Sequence, residues 1–339
     1  MKHRAFFVAM AAVALLLSGC GSAELRIVGS GASFPFPLYS AWLAELNRTL
    51  SDVRFDFQAK GSGAGIQDLI NRTVDFAASD AAMTPEQIGQ VENGVILLPM
   101  TAGEIVLGYN LPGDLKDLKL PRDVYPDIFL ARIARWNDPR IVAANPGLQL
   151  PDLPITVVRR SDSSGTNYVF TKHLSAISPA FQQQVGIGTN VVWPSSERII
   201  AAPRNAGVAA TIAQTPGAIG YIEFNFAKQS NLAIALLQNR AGNFIAAGGE
   251  GGQIALAGAE FPPDLIVWVD DPANPKAYPI ASFTWMLFYK KQDAKKAEYL
   301  RKMVEFGLTD GQKMADAMGF IPLPPNVIEK VRAASANIR

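Results

Sequence analysis

The sequence predicts an α/β fold, and three observations carry the prediction. Strand-like runs, small-residue loops and helix-period segments follow one another through the first hundred residues. The chain has 339 residues, 49% of them apolar and 18% charged, enough for packed cores in about two domains at roughly 150 residues each. No self-similarity at a period of about 20–50 residues is visible, which argues against a solenoid.

The elements are justified in chain order. Leu25 to Val28 reads as a strand running into Gly29-Ser30-Gly31-Ala32-Ser33-Phe34-Pro35. Leu38, Trp42 and Leu46 then recur at helical spacing, with Tyr39 and Leu43 beside them. Val53, Phe55 and Phe57 alternate with Arg54 and Asp56 as a strand does, and the loop Gly61 to Gly65 follows. Ile66, Leu69, Ile70 and Val74 return to helical spacing. Thr84-Pro85-Glu86-Gln87 is a capping box that starts another helix. Val95 to Leu98 and Glu104 to Asn110 read as two strands, and Ile155 to Arg160 as another. Ser161 to Thr166 leads into a helix carrying Val169, Phe170 and Leu174. Arg204 to Thr211 is weakly helical, Ile219 to Phe224 a strand, and the Gly-rich stretch from Gln238 to Pro263 a loop or weak hairpin. Ile266 to Val269 and Phe283 to Tyr289 read as strands; Asp293 to Leu308 and Asn326 to Ala334 read as helices.

Composition narrows the chemistry. Lys+Arg 31 against Asp+Glu 30 leaves a formal charge of +1, with none of the basic field that non-specific nucleic-acid binding needs. One cysteine, Cys20, and two histidines, His3 and His173, exclude an internal disulfide and a Cys/His zinc site. At the N-terminus, Lys2, His3 and Arg4 precede an apolar run from Ala5 to Leu17, shorter than the roughly 20 residues a membrane span needs. The pattern fits an export signal. Leu17-Ser18-Gly19-Cys20 resembles a bacterial lipoprotein signal, so residues 1–19 are expected to be removed and Cys20 lipidated. No later segment has 18 uninterrupted apolar residues, so the remainder is expected outside the cytoplasm as a soluble, anchored body.

Three small-residue loops join a strand to a helix: Gly29 to Phe34, Gly61 to Gly65, and Ser161 to Thr166. Helix N-termini carry unpaired N–H groups and attract anions, although Ser and Thr there also serve simply as caps. Arg159-Arg160 stands at the third loop, where a guanidinium fork suits phosphate or carboxylate, and Asp162 is placed to hold that fork. Asp80 closes the run Val74 to Ser79, a position where Asp is more often a turn or cap residue. No nucleophile elbow, P-loop or dinucleotide fingerprint occurs. His173 reads as a surface or filler residue, which leaves no base for a serine triad.

As a set, Gly29 to Pro35, Gly61-Ser62, Val74 to Asp80, Val157 to Thr166 and Pro216 to Tyr221 resemble the phosphate-binding proteins of Pst-type bacterial ABC importers. Pro279-Ile280 and the tail from Arg332 to Ile338 also fit. The resemblance runs from Val28 to the C-terminus and is weakest between Asn231 and Pro275. It implies a two-lobed periplasmic-binding-protein fold of type II, with central mixed sheets, helices on both faces and a hinge of crossing strands. Residues 20–102 plus 279–339 would form lobe 1 and 103–278 lobe 2, with crossings near Thr101-Ala102-Gly103 and Tyr278-Pro279.

The resemblance also implies roles. Ser33, Ser62, Ser164 and Thr166 would donate hydroxyls to phosphate, Phe34 and Gly165 backbone N–H groups, and Arg160 its guanidinium, oriented by Asp162. Asp80 would accept the proton that phosphate keeps near neutral pH and that sulfate lacks, leaving a carboxylate facing sulfate repelled and unsatisfied. The expected partners are inorganic phosphate, a membrane permease of an ABC importer and, through the lipid on Cys20, a membrane. No cofactor, metal, nucleic acid or enzymatic activity is expected, and the protein is expected to be a monomer. Two positions depart from the family pattern: Ser163 stands where Gly is frequent, and Gly61 to Gly65 replaces a common Ser-Ser pair. Only Gly21 to Glu24 separates Cys20 from the first strand, at most ~14 Å, so the body is expected close to the membrane. The rival readings are a receptor for another oxyanion such as sulfate or molybdate, a phosphatase, and a surface lipoprotein without a ligand.

Overall fold

In the computed structural model, residues 24–113 and 115–339 are described. The expectations for residues 1–19 and Cys20 lie outside them. The strands are β1 (Leu25–Gly31), β2 (Val53–Ala59), β3 (Phe76–Ser79), β4 (Val95–Tyr109), β5 (Lys119–Leu120), β6 (Thr156–Arg160), β7 (Ile199–Ala202), β8 (Ala218–Glu223), β9 (Ala233–Ile234), β10 (Leu236–Gln238), β11 (Phe244–Ile245) and β12 (Ala281–Tyr289). The main sheet runs β2-β1-β3-β12-β4-β8-β6-β7, with β9 also on β4, and β11-β10-β5 form a small second sheet. The sheet is mixed: β1 is parallel to β2 and β3, and β6 to β7 and β8, whereas β12 is antiparallel to β3 and β4, and β4 to β8.

β4 is the element on which the architecture turns. Val95 to Leu98 and Glu104 to Asn110 were expected as separate strands, but one buried strand of 15 residues spans both. The intervening Pro99 to Gly103 stays extended because β12 supplies its hydrogen bonds, with a register shift between Thr284 and Trp285 that absorbs the missing Pro99 donor. The strand changes partner at one point. β12 pairs with β4 from Val95 to Glu104, and β8 pairs with it from Ile105 to Tyr109.

Each half of the sheet has its own apolar packing. In the first, Phe57, Phe76 and Phe288 stack across β2, β3 and β12, with centroids 5.9 and 6.1 Å apart. Trp42, fully buried on helix Phe36–Thr49, donates its indole N–H to Gly311 O at 3.1 Å and so fastens the C-terminal helices to the first hundred residues. In the second half, Phe129, Phe170, Trp193 and Tyr221 form another ring cluster.

Most sequence expectations hold. The Thr84 capping box forms reciprocally, and helices occupy Phe36–Thr49, Arg204–Gln214, Ala294–Leu308 and Pro325–Ser335. Three differ. The second small-residue loop is already helix, which starts at Ser62 and ends at Ile70, because Gly61 at φ +104° makes the turn in one residue. In the Gly-rich stretch, β10 and β11 do form a short hairpin, but Gly251–Leu256 is a helix. Ile266 to Val269 pairs with no strand; its half-buried side chains pack as coil, Trp268 lying between Tyr168 and Trp285. His173, read as surface or filler, is filler of the interior. It is buried, with Nε2 against Tyr125 OH at 2.8 Å and Nδ1 against Asp270 O at 2.7 Å, and burial pushes its pKa down to about 4.

Candidate functional site

The three small-residue loops converge where the two halves of the sheet meet. Gly31, at φ +139°, ends β1 and lets the chain turn tightly against Ala78 before Ser33 and Phe34, both buried. Ser62 opens helix Ser62–Ile70 and Asp80 follows β3; both are buried. Arg160 ends β6, and Ser164 caps helix Gly165–Ile177 by accepting the Asn167 N–H at 3.1 Å. Phe34 packs under Gly103 and against Phe320, which locks the first loop onto β4.

Contacts tie the predicted residues together. Gly63 N–H donates to Ser163 O at 3.0 Å, joining the second loop to the third. A methyl placed on Gly165 would stand 2.5 Å from Ser62 Oγ and 2.7 Å from Asp80 Oδ2. Ser62 Oγ receives the Asp80 N–H at 3.2 Å and lies 3.4 Å from Asp80 Oδ2. Ser33 meets the second half of the chain through Asn205, whose backbone and side-chain N–H groups both donate to Ser33 Oγ, at 3.3 and 3.1 Å. The same amide donates to Thr166 Oγ1 at 3.3 Å. Ser33, Phe34, Ser62, Asp80, Arg160, Ser164, Gly165 and Thr166 thus lie in one buried region.

Charge in this region is arranged unevenly. Arg160 Nε donates to Asp162 Oδ1 at 2.8 Å and Nη2 donates to Oδ2, the fork that the sequence suggested. Burial raises the Asp162 carboxyl, but the Arg160 hydrogen bonds and charge, with the Arg204 N–H, hold it below its ordinary value. Arg160 Nη1 is buried and has no partner in the protein. A cationic donor in that state is costly unless something anionic meets it. Asp80 is the opposite case. Burial pushes it up to about 7, against the Thr284 hydroxyl, the Arg160 charge and the Ser62 hydroxyl. The region therefore has hydroxyl and N–H donors, one unspent guanidinium arm and one carboxyl near its neutral point. Among the described residues no group of His, Cys, Asp or Glu could hold a metal ion.

Four participants escaped the sequence reading. Thr284 sits opposite Asp80 on β12 and donates to its Oδ1 at 2.8 Å; nothing in the strand's sequence set it apart from its neighbouring hydroxyl, Ser282. Tyr221 receives the Arg160 N–H at 2.9 Å and fixes the end of β6. Asn205 begins helix Arg204–Gln214, read only as weakly helical. Glu223, buried at the end of β8, is pushed up to about 8 by burial despite the donors of Asn225. The two departures from the family pattern also have a structural account. Ser163 adds no donor to the region, because its hydroxyl donates to Thr189 Oγ1 at 3.0 Å, and Gly63 is small because Ser163 Oγ would lie 2.0 Å from a methyl there.

Comparison with known proteins agrees with this geometry. A family profile described as a PBP superfamily domain matches residues 18–310. The phosphate-binding protein PstS of Xylella fastidiosa is 34% identical over 317 residues, covering 91% of this chain and 85% of that protein. PstS of Pasteurella multocida is 36% identical, covering 91% and 89%. Among solved structures, a high affinity periplasmic phosphate-binding protein bound with phosphate superposes with a TM-score of 0.74 at 21% identity, covering 91% and 93%. The phosphate-binding protein from Stenotrophomonas maltophilia gives 0.73 at 21%, covering 91% and 94%. The fold is thus that of the type II periplasmic binding proteins, and the chain belongs to the PBP superfamily and, within it, to the PstS phosphate-binding proteins.

Proposed function

We propose that the protein binds inorganic phosphate between the two halves of its sheet and delivers it to a phosphate ABC transporter. The family is one of solute-binding proteins, not of enzymes. The observation that carries the reading is the buried Arg160 Nη1 without a partner, set among Ser33, Ser62, Ser164 and Thr166 hydroxyls and the carboxyl of Asp80. A small tetrahedral anion bearing one proton fits that inventory. Arg160 faces its charge, the hydroxyls and the Phe34 and Gly165 N–H groups donate to its oxygens, and Asp80 accepts a hydrogen bond from its P–OH.

In this reading residues 20–102 plus 279–339 form one lobe and 103–278 the other. The change of partner along β4 between Glu104 and Ile105 supports a hinge there, one residue beyond the expected Thr101-Ala102-Gly103. The lobes close on phosphate, bringing Asp80 to Gly165 and Ser33 to Asn205. Cys20 carries the lipid that holds the protein, as a monomer, at a membrane in the periplasm or on the cell exterior. Among the described residues no helix is long and apolar enough to cross a membrane.

The test is calorimetric titration with phosphate, arsenate and sulfate between pH 5 and 8. Phosphate and arsenate are expected to bind, and sulfate at least about tenfold more weakly at neutral pH, because it leaves the Asp80 carboxylate unpaired. Equal affinity for sulfate would discard the assignment of Asp80.

A further inference from the structure

Asn205 makes four hydrogen bonds while fully buried, and none of them serves its own helix. Its backbone N–H, free because it stands in the first turn of helix Arg204–Gln214, donates to Ser33 Oγ at 3.3 Å. Its side-chain amide donates to the same oxygen at 3.1 Å and to Thr166 Oγ1 at 3.3 Å, while Oδ1 accepts the Glu223 N–H at 3.0 Å. The Glu223 bond settles which way the amide points. Reversed, it would set two N–H donors against each other and present oxygen to Ser33 and Thr166.

A serine hydroxyl has two acceptor positions and one proton. Asn205 occupies both acceptor positions of Ser33, so the Ser33 proton can only be given elsewhere. We propose that Asn205 is a positioning residue for anion capture: by donating twice to Ser33 it leaves that hydroxyl only its proton to offer the bound anion, and by donating once to Thr166 it takes one of the two acceptor positions of that hydroxyl. The inference rests on the phosphate reading above and deepens it. Ser33 and Asn205 lie on opposite sides of the change of partner in β4, so the arrangement exists only when the two halves are together. An open protein leaves Ser33 free to turn its proton to water. Closure then sharpens the pocket's preference for an acceptor-rich guest. The neighbouring N–H of Arg204, held at φ +59°, donates to Asp162, which orients Arg160. The start of this helix thus acts on the ligand-holding side chains from behind.

The experiment is a double-mutant cycle on phosphate affinity, using Asn205→Ala, Ser33→Ala and the pair in the full-length protein, titrated with inorganic phosphate. Each single substitution is expected to weaken binding by about tenfold to a hundredfold, the range for a hydrogen bond to a charged group. In the Ser33→Ala background the Asn205→Ala loss is expected to shrink by at least about threefold, and the phosphate dissociation rate is expected to carry the change. A merely structural role would leave the two losses multiplying, and that result, or no loss from Asn205→Ala, overturns the inference. If Asn205→Ala does not fold, Asn205→Asp takes its place in the cycle. It keeps an acceptor for the Glu223 N–H, and the repulsion of its added charge cancels between the Ser33 and Ser33→Ala backgrounds. An unmodified protein that binds no phosphate refutes the phosphate reading itself, and this inference with it; normal binding with independent losses refutes this inference alone.

Discussion

Gly165 and Asp80 touch across the two halves of the molecule: a methyl on Gly165 would lie 2.6 Å from Asp80 Cβ and 2.7 Å from its Oδ2. They are 85 residues apart in the chain, on a helix start of one half and a strand end of the other. No other residue type fits at that contact without driving the halves apart.

Gly165→Ala is therefore expected to block closure without unfolding either half. Phosphate affinity should fall by about fivefold to a hundredfold, as overpacking of a tight contact costs ~1–3 kcal/mol. The ligand-free melting temperature should stay close to that of the unmodified protein. Small-angle scattering should show no contraction on adding phosphate. Contraction with unchanged affinity would mean that the contact is not part of the pocket.

Arg160→Ala removes the unspent guanidinium arm and strands Asp162, which loses both hydrogen bonds of its ion pair. Breaking a buried charge pair costs ~3–5 kcal/mol, so phosphate affinity should fall by several powers of ten. Calorimetry reads this directly. A loss under about 1 kcal/mol would place the site elsewhere.

On the phosphate reading, Asp80 is expected to make anion selectivity depend on pH. With its carboxyl near 7, it is mostly ionised at pH 8 and mostly protonated at pH 5 in the ligand-free protein. The ionised form accepts from a P–OH and repels sulfate; the protonated form can donate to sulfate. The preference for phosphate over sulfate should thus be widest at pH 8 and narrow toward pH 5. Asp80→Asn should narrow it at pH 8 and remove most of its pH dependence, because the amide can turn its N–H to sulfate at any pH. A preference that does not change with pH would contradict the role given to this carboxyl.

Stability should carry a related signature. Burial raises Asp80 to about 7, Glu104 to about 7 and Glu223 to about 8. Between their ordinary and raised values, these acids keep protons in the folded protein that the unfolded chain has released, so stability falls as pH rises through that window. His173, lowered to about 4, does the reverse, and its contribution rises with pH from about 4 to 6.5. Above pH 6.5 the His173 contribution levels off and the three acids dominate. The melting temperature of the ligand-free protein should therefore fall from pH 6.5 to 8, and Glu223→Gln should flatten that slope. A rise over the same range would exclude raised carboxyls.

Much of the fold was legible because local periodicity reports local structure. The alternation of Val53, Phe55 and Phe57 and the helical recurrence of Leu38, Trp42 and Leu46 became the elements they suggested, since each buries the face its spacing defines. The failures share a cause. Ile266 to Val269 has strand composition but no neighbour to pair with, and Pro99 to Gly103 lacks strand composition but has β12 beside it.

By itself, the order of residue types along the chain determined that strands feed three small-residue helix starts, that hydroxyls, an arginine and two aspartates accompany those starts, and that the ensemble resembles an oxyanion receptor. Only the tertiary structure decided that one continuous strand serves both halves, that Thr284 supports Asp80, that Asn205 spans Ser33 and Thr166, and that one arm of Arg160 is left over. The reason is physical. Helix and strand periods arise from contacts a few residues apart, whereas these bonds join groups up to about two hundred residues apart, whose meeting depends on how whole sheets and helices pack.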